Sequence, residues 1–195
     1  ITRARRLYAE RGEVRLDLAR DPASALAIFD ELVELHRASW EERGESGAFS
    51  SEHMLRFHRA LIAEHTESGG TQLVRVHSGG QTIGCLYNLV ANGHVAFYQS
   101  GLRREQDNRL KPGLVCHAEA IAENARLGNR VYDFLGGSSR YKSDLATDET
   151  TLCWLRIARK RRRFWIEARA REARDHFRAL RPRVRLLSES KRLSG

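Results

Sequence analysis

Between residues 71 and 100 the apolar side chains recur at every second position, whereas on either side they recur every three or four. Ile83, Cys85, Tyr87 and Leu89 alternate in this way, and the apolar runs Leu73 to Val76 before them and Val95 to Ser100 after them read as strands on either side. Ser78-Gly79-Gly80 and Asn92-Gly93 separate the three runs and are tight-turn sequences. Strands joined by turns this short pair with their neighbours in antiparallel order, so the centre of the chain is an antiparallel meander. That meander must be covered by the helical segments around it.

Upstream, the run from Arg3 to Leu18 opens on basic residues and then alternates through Val14, Leu16 and Leu18, which predicts a strand. Asp21-Pro22 predicts a helix start, with Asp as cap and Pro where a missing N–H costs nothing. Phe29, Leu32, Val33, His36 and Trp40 continue that helix at helical spacing. A second helix follows Ser50-Ser51, with Met54, Phe57, His58, Leu61 and His65 along one face. Downstream, a polar loop carrying Arg103, Arg104, Arg109 and Lys111 leads into a helix that starts at Pro112-Gly113 and stops at Gly128. Val131 to Leu135 is a short strand, Thr151 to Ile157 a predicted last strand, and Arg159 to about Leu180 a basic helix. The order predicts an α/β (α+β) fold: a mixed, mostly antiparallel sheet with helices on both faces. The expected domain covers residues 1–157, followed by a basic helix and tail over 158–195.

Charge supports that division. From Arg156 onward there are 15 Lys and Arg against 4 Asp and Glu, whereas residues 1–155 hold 19 against 21. The basic character belongs to the tail, which removes the case for a whole-domain nucleic-acid binder. A tail of this kind suits an anionic membrane surface or a nucleic acid, or a helix packed through Phe164, Trp165 and Phe177. The three cysteines are far apart, and the eight histidines make no metal-binding spacing. This usage implies a reducing, cytoplasmic compartment and no metal. No apolar run approaches the ~20 residues of a membrane span.

The junction of the third meander strand, the basic loop and the helix at Pro112 is the best candidate site. A helix N-terminus presents unpaired N–H groups to a phosphate, and Gly113 lets the backbone come close.

Several segments in order resemble one family. They are Glu31-Leu32-Val33-Glu34-Leu35-His36 with Trp40, Gly44 and Gly47-Ala48-Phe49; Phe57-His58; Phe97-Tyr98-Gln99-Ser100-Gly101; Lys111-Pro112-Gly113; and Asp133-Phe134-Leu135 with Gly137, Tyr141 and Lys142. Together, over roughly Arg5 to Ile157, the chain resembles the GNAT-like acyltransferases related to the cellulose biosynthesis protein CelD. It is more distantly similar to the Fem-type aminoacyl transferases. The resemblance implies a GNAT fold and acyl transfer from acetyl-CoA or another acyl-CoA to a small-molecule or sugar-linked amine in polysaccharide or cell-envelope metabolism. It also implies a second GNAT-like half upstream in the full-length chain. Cofactor contacts fall on Gln99, Ser100, Arg104, Arg109, Lys111, Pro112, Gly113 and Leu114. Tyr141, Asp133 and His58 are the catalytic candidates, and His36, Trp40, Tyr98 and Lys142 the acceptor-side ones. Each has a scaffold reading too: packed tyrosines, core histidines, a carboxylate bonded into its own turn, a solvated lysine. The family pattern Asp-Phe-Leu-Arg-Gly-Asp-Glu is broken here by Gly136, Ser138 and Ser139. Two other readings stay open: a transferase using aminoacyl-tRNA held by the basic tail, and a non-catalytic binding module.

Overall fold

The computed structural model describes residues 1–45, 47–137, 139–155, 157, 166, 169–170 and 173–174. Two compact units divide the chain, Ile1–Thr150 and Thr151–Gly195. The first contains α1 (Thr2–Ala9), β1 (Val14–Leu18), α2 (Pro22–Glu41), α3 (Glu52–His65), β2 (Thr71–Ser78), β3 (Gln81–Ala91), β4 (His94–Leu102), α4 (Pro112–Arg126), β5 (Val131–Asp133) and α5 (Arg140–Leu145). The five strands lie in the order β1-β2-β3-β4-β5. The first three pairings are antiparallel and β4–β5 is parallel.

The Asp21-Pro22 signal acts as its chemistry dictates: the Asp21 carboxylate accepts the Ser24 amide at 2.9 Å and opens a twenty-residue helix. The basic stretch ahead of β1 is a helix, not the start of the strand. Ala4, Leu7 and Tyr8 fall at helical spacing, and Ala4 and Tyr8 are buried.

Strand alternation sends apolar residues to both faces of the sheet. On one, Phe29, Leu32 and Phe49 meet Leu73, Cys85 and Tyr87 beneath α2 and α3. On the other, Tyr8, Val115, Cys116 and Ala120 from α1 and α4 meet Val74, Val76, Leu86 and Phe97. Helices therefore cover both faces. Two extra residues interrupt the ladder. The β2–β3 pairing steps from Gly84 to Thr82 and leaves out Ile83, and the β3–β4 pairing steps from Gln99 to Phe97 and leaves out Tyr98. Each is a bulge, a device that re-aims a side chain.

In the second unit Thr151–Leu155 form no strand, contrary to the alternation of that segment. Leu152, Trp154 and Leu155 are exposed; an apolar period of two makes a strand only when a neighbouring strand supplies the ladder. Ile166, Arg169–Ala170 and Ala173–Arg174 are helical. The rest of the helix expected over 159–180, with its basic and aromatic residues, lies outside the described residues.

Candidate functional site

The parallel ladder between β4 and β5 contains only His94↔Val131, Val95↔Tyr132 and Ala96↔Asp133. β4 runs on to Leu102, so from Phe97 its outer edge leaves β5 behind and the sheet parts. Local chemistry ends the shorter strand. The Asp133 carboxylate accepts the Leu135 amide at 2.7 Å, Leu135 adopts φ 58°, and Gly137 follows at φ 113°, a turn that carries the chain off the sheet. Lys142 Nζ donates to the Leu135 and Gly136 carbonyls at 3.1 and 2.6 Å and holds that turn.

The exposed β4 edge is partly satisfied from within. The Ser100 amide donates to the Gln99 side-chain oxygen at 3.1 Å. Its carbonyl accepts from His36 Nδ1 at 3.0 Å, and His36 Nε2 accepts the Ala48 amide at 3.2 Å. Both ring nitrogens of His36 are thus engaged, and burial holds its pKa below the ordinary value. His36 fastens α2 and the following loop to β4, and Trp40 packs beside it at 5.6 Å. Gly101 allows the contact: a Cβ there would lie 2.2 Å from the Leu32 carbonyl oxygen.

At the end of β4 stands the start of α4. Lys111, its N-cap residue, has φ 39° and no capping side-chain bond. Val115 is the first residue to bond back into the helix, to the Lys111 carbonyl. The amides of Gly113 and Leu114 therefore have no partner among the described residues, the donor pair an anion requires. The cations around them differ in freedom. Arg109 is paired with Asp107 at 2.7 Å and Arg104 with Glu42, whereas Lys111 has no ion pair among the described residues. A cleft of about 320 Å³ beside them is lined by Arg3, Asn108, Arg109 and Lys111. α1 and the turn after it brace this loop: Arg11 bonds the Glu105 carboxylate at 3.0 and 3.1 Å, and Tyr8 donates to it at 3.3 Å.

Two aromatic groups flank the parting, one on each face. On the α2–α3 face the bulge aims Tyr98 at His58, whose Nε2 lies 2.9 Å from the Tyr98 hydroxyl; His58 Nδ1 lies 3.4 Å from the Tyr87 hydroxyl. His58 is buried, which lowers its pKa, and burial raises that of Tyr98. On the α4 face Tyr141 stacks flat on His117, with centroids 5.4 Å apart and planes 7° from parallel. Phe97 and Phe134 meet the same imidazole edge-on at 4.5 and 5.2 Å.

The structure thus brings Gln99, Ser100, Tyr98 and His58 together at the parting, with Pro112, Gly113, Leu114 and Lys111 at the end of β4. Tyr141 lies beneath the parting and Lys142 at its rim. Asp133 is bonded into its turn and lies 3.2 Å from His94 Nε2. Sequence reading overlooked His117. The available signal was a histidine at i and an asparagine at i+7, Asn124, on the apolar face of a helix. Also overlooked was the buried polar chain beside it, Asn124–Gln72–Asn88, joined by bonds of 2.9 and 2.8 Å. Among the described residues no cluster of His, Cys, Asp or Glu is placed to hold a metal, and no helix is long and apolar enough to cross a membrane.

The profile of a family described as acetyltransferase (GNAT) domain matches residues 1–143. An aminoglycoside acetyltransferase from an uncultured soil metagenomic sample superposes with a TM-score of 0.53 at 12% identity, over 75% of this chain and 99% of its own. A second from such a sample, in complex with trehalose, gives 0.49 at 12%, over 75% and 97%. An N-acetyltransferase from Thermoplasma acidophilum, in complex with coenzyme A, gives 0.38 at 12%, over 59% and 75%. No curated protein sequence matches the chain.

Proposed function

Because the chain belongs to the GNAT acetyltransferase domain family, and is on that ground an acyltransferase, we propose that it takes an acyl group from acetyl-CoA or another acyl-CoA and transfers it to an amine on a small or sugar-linked acceptor. The observation that carries this reading is the early end of the β4–β5 ladder, one strand's length from two unpartnered amides at a helix start. A thioester enters the parting while the Gly113 and Leu114 amides and Lys111 hold the diphosphate of its carrier.

The residues divide the chemistry. The acyl carbonyl lies along the Tyr98–Ser100 edge of β4, where backbone N–H groups support the charge that develops on its oxygen. The acceptor approaches on the α2–α3 face. Neutral His58, kept uncharged by burial, draws a proton from the attacking amine through the Tyr98 hydroxyl. As the carbon–nitrogen bond forms the carbon–sulfur bond breaks, and the Tyr141 hydroxyl protonates the departing thiolate. The bonded state of Asp133 suits a turn-forming role, with its outer oxygen shared with His94. Where the family pattern has an Arg and two acids, Gly136, Ser138 and Ser139 offer no carboxylate, so the site favours an acceptor carrying few positive charges. Acetyl-CoA titrated into the protein in a calorimeter tests the reading. Saturable binding lost in Lys111→Glu is expected; no heat of binding to the parent protein overturns it.

A further inference from the structure

His117 sits one helical turn inside α4, only 2% exposed, at the point beneath the sheet where β4 and β5 separate. Phe97, the first β4 residue past the ladder, and Phe134, the first residue past β5, meet it edge to face, and Tyr141 stacks parallel to it with its centre displaced, at 5.4 Å between centroids. A displaced parallel stack alone leaves a ring free to turn in its plane. Here the imidazole is also tied: Nδ1 lies 3.3 Å from the Tyr132 hydroxyl, which donates to Asn88 Oδ1 at 3.4 Å. The Asn88 amide nitrogen donates to Gln72 Oε1, and that of Gln72 to Asn124 Oδ1. Because the Asn88 oxygen takes the Tyr132 proton, the Tyr132 oxygen is left to accept, and Nδ1 of His117 carries the hydrogen. The chain of amides fixes both the tautomer and the plane of the ring.

We infer that His117 is the positioning residue for the Tyr141 phenol, presenting its face to hold that hydroxyl at the sulfur of a bound thiol ester. The inference rests on the acyl-CoA reading above. Tyr141 stands on α5, a six-residue helix with no capping side-chain bond, so the helix alone does not fix its ring. The phenol makes no hydrogen bond to another described residue, and its ring is directed by the His117 stack together with Phe134, which meets it edge-on at 6.0 Å. A buried histidine in α4 then has a function that core packing alone does not supply.

The test needs no acceptor. Affinities of coenzyme A and of desulfo-coenzyme A are measured by calorimetry for the parent, Tyr141→Phe, His117→Ala, His117→Phe and the double variant Tyr141→Phe/His117→Ala. The ratio of the two affinities isolates the sulfur contact from the rest of the carrier. The parent is expected to favour the thiol by about fivefold, a ratio one hydrogen bond supports. Tyr141→Phe and His117→Ala each bring the ratio to one, and the double variant goes no further, since both act through one hydroxyl. His117→Phe keeps the stacked face and retains at least half of the preference. A purely structural histidine would lower both affinities together and leave the ratio intact. A ratio unchanged in His117→Ala, lost equally in His117→Phe, or absent from the parent overturns the inference and spares the acyl-CoA reading. Failure of the parent to bind either compound overturns that reading itself.

Discussion

Replacing Gly101 with alanine puts the seat of α2 on β4 to a direct test. The new Cβ would stand 2.2 Å from the Leu32 carbonyl oxygen and 2.9 Å from the Leu32 carbonyl carbon and Cα. A carbon and a carbonyl oxygen rest comfortably about 3.3–3.6 Å apart, so one backbone must retreat by roughly 1 Å relative to the other. No rotamer relieves a clash between main chains. Overpacking a core costs about 1–3 kcal/mol, and this contact belongs at the upper end. At roughly 2–4 °C per kcal/mol for a chain of this size, the melting temperature should fall by about 6–12 °C. Gly113→Ala is the comparison. Its Cβ would meet only Leu102 Cδ1, at 3.2 Å, the movable end of a side chain. Alanine is also the better helix former by up to ~1 kcal/mol, so melting holds or rises by a few degrees. Function should reverse the order: a methyl beside the two free amides weakens acetyl-CoA binding by about tenfold, some 1.4 kcal/mol. Thermal melts followed by circular dichroism and calorimetric titration read both effects. Gly101→Ala melting within about 2 °C of the parent would refute the close seating of α2. Undiminished affinity in Gly113→Ala would remove the amides from the anion site.

Charge reversal should separate the loop cations by how committed each already is. Lys111→Glu is expected to weaken acetyl-CoA binding by tenfold or more, and Arg104→Glu, whose parent side chain is held by Glu42, by less than threefold; equal losses in a calorimetric series would refute the distinction. His36→Phe keeps the ring volume but strands the Ser100 carbonyl and the Ala48 amide; a loss of about 1–3 kcal/mol in denaturant unfolding is expected for such unpaired buried groups. His117 provides a pH dependence. Burial, aided by the charge of Lys142, pushes its pKa down to about 4 from near 6.5. The unfolded chain therefore takes up the proton first, so stability is full above pH 6.5, is lost as pH falls, and stops falling near pH 4. At ~1.4 kcal/mol per pH unit between those values the loss approaches roughly 3 kcal/mol. Unfolding curves of His117→Phe should be flatter over that window; an unchanged slope would refute the assignment.

The fold was legible where local chemistry and global need coincide. Asn92-Gly93 makes the turn such a pair favours, Asp21 caps, and Pro112-Gly113 opens a helix. The opening helix escaped because its apolar stripe is three residues long and lies among arginines, where the charge is louder than the period. The segment after Thr150 misled because alternation describes a surface and does not say whether a ladder is there to receive it. Within the site, chain position was readable and bonding state was not. The basic loop stood out, but nothing in the order Arg103-Arg104 shows that Arg104 is bound to Glu42, sixty-two positions earlier. Nor does His36 announce that both its nitrogens are taken. His117 and Asn124 were visible as polar residues on an apolar helical face, yet their meaning depends on Tyr132, Asn88 and Gln72 arriving from three different strands.

An unpaired strand edge inside a domain is a liability, since bare amides and carbonyls invite another strand. This chain keeps one open between Phe97 and Leu102 and meets the cost with two side chains and a bulge. Gln99 answers the Ser100 amide, His36 answers its carbonyl, and the bulge at Tyr98 breaks the regular pairing of the strand. These contacts differ in how readily they yield. The Gln99 side chain is a neighbour on the same strand and can swing away to free an N–H for an incoming carbonyl. His36 is buried and bonded at both nitrogens and stays. On the acyl-transfer reading proposed above, the edge offers a donor that Gln99 releases while the Ser100 carbonyl stays bonded to His36. That is the asymmetry required by a reaction in which negative charge grows on an acyl oxygen.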